Sequence, residues 1–328
     1  MTRDLAECNG SRRDWIYRAT ATLGLSALGV PPLCDRLSNA EEPPPAAGEP
    51  ERIAKIEAQA KHAGVTPIGV SRTTHFLGVG NASGPFRKQA LEICEALGRV
   101  FLKHLRDRGF RVVYPDRRLM VVVLRDAISY GSLVGEAPGK DVGGHFDLDA
   151  DRLVVFDFRP DQGVGGTAER INTFTLVHET AHLLTFNTGL LAADPEPAKC
   201  ITEGLATYFE MWRLASKAPV GRINQPRLIA IRDALKAGEP WISTKSLMTE
   251  DALFDDPKTA QLAYGQSWLM MYHLLSSRSI WPNVVDYLAD LRTNGRGGRV
   301  AMLEKHLGPI ATLDDRLRTL GRDLVRGL

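Results

Sequence analysis

The stretch that most restricts how this chain folds is His178-Glu179-Thr180-Ala181-His182, set inside a largely apolar run from Phe174 to Leu184. In a helix, residues four apart lie one above the other on the same face, so the two imidazoles reach one point without backbone distortion. Glu179 falls on the adjacent flank. A helix with these neighbours is buried, and imidazoles and a carboxylate inside a core require partners. One metal ion would satisfy all three; the alternative is a buried helix whose two histidines make ordinary hydrogen bonds. The pattern arises by chance in a chain of this length roughly one time in a hundred, so the residues that follow decide between the two.

Catalytic zinc takes three protein ligands and keeps a fourth position open. The third has to come from a second helix that faces the first, and Cys200 to Glu210 is such a segment. Glu203 is the expected third ligand, with Glu210, two turns on, as the competitor. Gly204 and Ala206 are small enough to let the two helices approach closely. A third histidine is excluded, because none occurs between His182 and His273.

The rest of the chain reads as an ordinary globular protein. Of its 328 residues 44% are hydrophobic and 24% charged, and the net charge of +2 gives no basic patch for a nucleic acid. The Arg117-Arg118 pair and Arg292 to Arg299 read as solvated surface. The cysteines, Cys8, Cys34, Cys94 and Cys200, form no Cys-x-x-Cys pair; Cys94 reads as core, and pairing between Cys94 and Cys200 is left open. Residues 1–40 read as a twin-arginine export signal: Ser11-Arg12-Arg13-Asp14-Trp15-Ile16, a mild apolar run from Ala19 to Val30, and a cleavage site at Ser38-Asn39-Ala40. That run is too short for a membrane span, so no integral span is expected in the mature protein, which would be periplasmic or extracellular. Residues 41–50 form a Pro-rich linker without helix or strand pattern.

Periodicity predicts helices over 52–62 and 86–108 and a strand over 74–79. Leu119 to Leu124 is continuously apolar, as in a strand buried on both faces. Gly143 to Leu148 and Leu153 to Phe158 predict a hairpin directly before the histidine helix, with its exposed strand over the cleft and His145 and Asp147 facing cleft or solvent. Gly163-Val164-Gly165-Gly166 lacks the Lys-Ser/Thr of a phosphate loop and reads as a flexible entry to the helix. After Pro226 the chain reads as helices over 228–236, 259–276, 284–293, 300–306 and 313–325.

His178-Glu179-x-x-His182 followed by Glu203-Gly204-Leu205-Ala206 resembles the glutamate-zincin metallopeptidases. More narrowly, Thr74 to about Leu275 resembles the bacterial family called domain of unknown function 1570, through Thr74-His75-Phe76-Leu77, the strand into Phe156-Asp157, His178 to Gly189, Thr202 to Glu210 and Tyr264-Gly265-Gln266-Ser267-Trp268. The resemblance implies an α+β zincin-like domain over 51–328, mainly β-sheet over 51–170 and helical over 171–328. The small mixed sheet would precede a helical lobe, with the zinc site in the cleft between them. It further implies a zinc metallopeptidase in which His178, His182 and Glu203 hold Zn2+ and Glu179 is the general base. Tyr264 is the candidate donor to the oxyanion, ahead of His273 and Tyr208; the substrate would be a peptide or protein. The alternative is a non-catalytic cell-envelope binding protein that keeps the fold and the zinc. One position departs from the thermolysin-like pattern: an aspartate four residues after the ligand glutamate supports a histidine there, and here that position is Thr207.

Overall fold

A computed structural model describes residues 43–139, 142–157, 173–214, 216, 219–294 and 298–328. The expected export signal, the Gly163–Gly166 loop and the start of the expected linker lie outside these residues. Five strands form one mixed sheet: β1 (Gly69–Arg72), β2 (Phe76–Gly80), β3 (Leu119–Leu124), β4 (Gly144–Asp147) and β5 (Arg152–Phe156). The spatial order is β1-β2-β3-β5-β4. β2, β3 and β5 run parallel, and β1 and β4 are antiparallel edges.

β3 lies at the centre with all six residues buried, the environment its unbroken apolar run predicts. Alternation along the strands divides the core in two. Phe76, Leu119, Val121, Val123, Phe146, Leu153 and Val155 face α2 (Gly84–Arg106) and α4 (Thr173–Asn187). Leu77, Val79, Met120, Val122, Leu124, Val154 and Phe156 face α1 (Glu49–His62) and α3 (Ala127–Val134). α1 begins inside the stretch expected to be linker: Pro50 fits a first helical turn, and Glu49 is buried against Arg72 and Arg118.

The remaining helices build the second lobe: α5 (Lys199–Phe209), α6 (Gln225–Lys236), α7 (Thr244–Thr249), α8 (Ala260–Ser276), α9 (Trp281–Asn294), α10 (Arg299–Leu307) and α11 (Ile310–Arg326). The helices expected from periodicity all appear, with ends moved by a few residues. β1, α3 and α7 are additions, each eight residues or fewer, too short for periodicity to mark. Among the described residues no helix is long and apolar enough to cross a membrane.

Two surface readings, of Arg118 and His145, need correction, while Arg117 keeps a partly exposed side chain and is ion-paired there. Arg118 is buried, ion-paired to Glu49 and donating to the Thr73 carbonyl at 2.7 Å. Arg117 binds Asp151 and donates to Asn187 Oδ1 at 2.6 Å, which ties the C-terminal end of α4 to the hairpin turn. His145 faces neither cleft nor solvent: it is buried on the α3 side of the sheet, with the Tyr130 hydroxyl 2.6 Å from its Nδ1. The alternation that sends Phe146 toward α4 sends His145 to the opposite face. Asp147 pairs across the hairpin with Arg152 at 3.2 Å.

Candidate metal centre

α4 carries the histidine motif under the sheet edge, and every residue from Thr175 to Thr185 is buried. The described helix runs from Thr173 to Asn187 and gives way to Gly189, whose φ of 82° suits a residue without a side chain. α5 packs beside it and contributes Glu203. His178 Nε2 lies 3.1 Å from His182 Nε2 and 3.1 Å from Glu203 Oε2, and His182 Nε2 lies 3.5 Å from that same oxygen. A tetrahedral ion with ligands at about 2.0–2.1 Å holds its donor atoms about 3.3–3.4 Å apart. The three atoms therefore outline one face of such a tetrahedron, and this buried group can hold a metal ion.

The bonding of Glu203 supports that fit. The carboxylate is fully buried, yet neither oxygen makes a well-aligned hydrogen bond among the described residues. Both imidazoles lie within ion-pair distance of it, so the three donors converge on a common point rather than on one another. Burial works to raise the Glu203 carboxyl, but His182 and His178 outweigh it and hold it well below the usual carboxylate range. For His178 burial works downward and is overcome by Glu203 and Glu210, which raise it to about 10. Burial pushes His182 down.

Glu210 lies outside the ligand group, on the far side of His178. Its Oε1 accepts from His178 Nδ1 at 2.7 Å. A carboxylate can only accept there, so Nδ1 carries the proton and Nε2 is turned toward the metal position. Glu210 is held in turn by Arg227, whose Nη2 donates to Oε1 at 2.6 Å and Nε to Oε2 at 3.0 Å, and by Asn224 Nδ2 at 2.7 Å. The support that a thermolysin-like aspartate would give from position 207 thus comes from position 210. Thr207 instead returns its hydroxyl to the Glu203 carbonyl at 2.7 Å. Asn224 and Arg227 stand at the start of α6, a helix that periodicity predicts over 228–236, but nothing in the sequence marks either residue as a partner of Glu210.

Glu179 lies against the sheet edge. The Phe146 N–H of β4 donates to its Oε2 at 2.8 Å, and Oε1 is buried without a hydrogen bond among the described residues. Burial pushes the carboxyl up to about 8, with His178 opposing and Glu203 adding. The Phe146 ring stacks at 11° on His182, with centroids 6.4 Å apart. The hairpin therefore does border the site, but through Phe146.

Gly204 of α5 acts on a different neighbour from the one expected. A Cβ on Gly204 would meet Ser267 O and Met271 Cγ of α8, each at 2.7 Å, so Gly204 admits α8 rather than α4. Tyr264 of α8 is buried, with the Arg227 guanidinium 4.9 Å from its ring centroid. Tyr208 faces α2, its hydroxyl 3.0 Å from His104 Nε2. His273 lines a surface groove with Arg316 and Thr319 of α11. Cys94 and Cys200 are both free and buried, next to Thr180 and Met248 respectively.

Residues 172–293 match the family described as "Protein of unknown function (DUF1570)". That span carries α4, α5 and α6, and with them His178, His182, Glu203, Glu210 and Arg227. No curated protein matches the chain.

Proposed function

We propose that this protein is a zinc metallopeptidase of the glutamate-zincin kind, with His178, His182 and Glu203 as the metal ligands and Glu179 as general base. The carrying observation is the coincidence at one buried point of three donors near tetrahedral spacing with a carboxylate that keeps one oxygen unbonded among the described residues. A zinc ion there would supply Lewis-acid activation of a water and of a carbonyl. Glu179 is held on one oxygen by the Phe146 N–H; its other oxygen, without a hydrogen bond among the described residues, would serve as the proton acceptor. Burial makes this carboxylate more basic than an exposed one, which suits a group that accepts a proton and then returns it to a leaving amine. Tyr264 is the proposed donor to the oxygen that gains negative charge. A site of two imidazoles and one carboxylate, with a second carboxylate poised beside it, matches an open catalytic centre better than a structural one closed by four ligands; that favours an enzyme over a zinc-retaining binding protein. Export by the twin-arginine route is proposed from residues 11–40 alone.

The test is Glu179→Gln in the zinc-loaded protein, assayed on a broad peptide library. The expected result is unchanged zinc content with peptide cleavage lowered by at least about a hundredfold. Absence of any cleavage by the unsubstituted, zinc-loaded protein would leave the binding-protein reading in its place.

A further inference from the structure

We propose that Arg227 is a positioning residue for the metal centre: through Glu210 it fixes the imidazole of His178, and so sets how tightly the centre holds its ion. The inference rests on the ligand assignment above and goes beyond it by adding a third helix, α6, to the site.

Glu210 receives four donors on its two oxygens. His178 Nδ1 and Arg227 Nη2 share Oε1, while Asn224 Nδ2 and Arg227 Nε share Oε2. An ionised carboxylate offers about four acceptor positions, so this one is saturated and cannot turn without losing a bond. The guanidinium supplies two of the four as a planar fork, which fixes direction in a way that a point charge does not. Arg227 is itself immobilised: it is 3% exposed and packed near the rings of Tyr264 and Phe174, with centroids at 4.9 and 5.7 Å. A buried ion pair adds little to stability compared with an apolar filling. Here its geometric consequence is a fixed His178 ring.

Two rival roles predict different results. Acting only through its positive charge, Arg227 would repel a cation, and its removal would tighten metal binding. Arg227 also lines a cavity of about 450 Å³ with Phe174, Pro226, Ile229 and Leu262. Acting only as a substrate contact from there, it would leave the metal affinity of the substrate-free protein unchanged.

The experiment is a zinc competition titration against a chromophoric chelator, without substrate, on the full chain and on Arg227→Met, Arg227→Lys, Glu210→Gln and the Arg227→Met/Glu210→Gln double variant. Outer-shell partners of a metal-bound histidine commonly change affinity by about 10–100-fold. Arg227→Met and Arg227→Lys should each weaken zinc binding by about tenfold or more, and Arg227→Met should cause no further loss in the Glu210→Gln background. Unchanged or tighter binding in the single variants, or an equal loss in both backgrounds, would overturn the proposal. If Arg227→Met does not fold, Arg227→Lys with and without Glu210→Gln makes the same comparison with the charge retained. Failure of the unsubstituted protein to bind zinc would overturn the ligand assignment itself, whereas normal zinc binding with unaffected Arg227 variants overturns the positioning role alone.

Discussion

His178 uses its two ring nitrogens for different purposes, and most of the residue-scale chemistry follows from that division. Nδ1 is committed to Glu210, which leaves Nε2 beside Glu203 and His182. With its pKa raised to about 10, the imidazole is protonated at neutral pH when no metal is bound, and metal entry has to displace that proton. Below about pH 10 the affinity should therefore fall as pH falls, by about a factor of ten per unit for one displaced proton. Calorimetry in buffers of different ionisation enthalpy should detect about one proton released per ion; release of none would contradict it. Glu203→Ala removes a proposed ligand and should abolish zinc binding under the conditions in which Glu210→Ala only weakens it, by about 10–100-fold. The two glutamates lie seven residues apart on similar faces, so helical periodicity cannot separate them. What separates them is height along α5 relative to His178, which is a property of how two helices pack.

At the scale of elements, α5 is the helix around which the site is assembled, because it touches α4 on one side and α8 on the other. Gly204 is where α8 comes closest. Gly204→Ala would force a Cβ to within 2.7 Å of Ser267 O and Met271 Cγ, and backbone on one side of that contact cannot give way cheaply. The expected cost is about 1–3 kcal/mol, as for overpacking elsewhere, measured by chemical denaturation of the metal-free protein. A neutral result would mean that α8 shifts freely. The sheet was legible where a strand is apolar on both faces, as Leu119 to Leu124 is, and where two such runs flank a turn. It was illegible at β1, whose Gly-Val-Ser-Arg has no pattern that marks a strand until β2 pairs with it. The hairpin was legible as a hairpin, but not the direction in which its side chains point. A one-residue change of phase exchanges His145 for Phe146 at the site, and only the pairing register sets that phase.

For the molecule as a whole, the proposed ligands come from α4 and α5, while the Glu179 contact comes from β4 and the hold on Glu210, which backs His178, from α6. A bound ion would therefore join the sheet layer to the helical lobe. Ligand linkage then predicts a midpoint of thermal unfolding that rises with free zinc and falls with chelator, with about 4 kcal/mol of added stability at a thousandfold excess over the dissociation constant. A midpoint insensitive to zinc would argue against binding in the native state. The sequence by itself determined the helix that presents His178, Glu179 and His182, the buried strand at the centre of the sheet, and the acidic helix expected to face the histidines. Each of these is written in local spacing and apolar periodicity, which are properties of one segment. The sequence made Glu203 the expected companion of the imidazoles; the tertiary structure alone decided that Glu210 backs one of them, that Arg227 and Asn224 at the start of a third helix hold Glu210, and that Phe146 rather than His145 meets the site. These depend on distances between segments far apart in the chain, and those distances exist only once the helices and the sheet edge have packed.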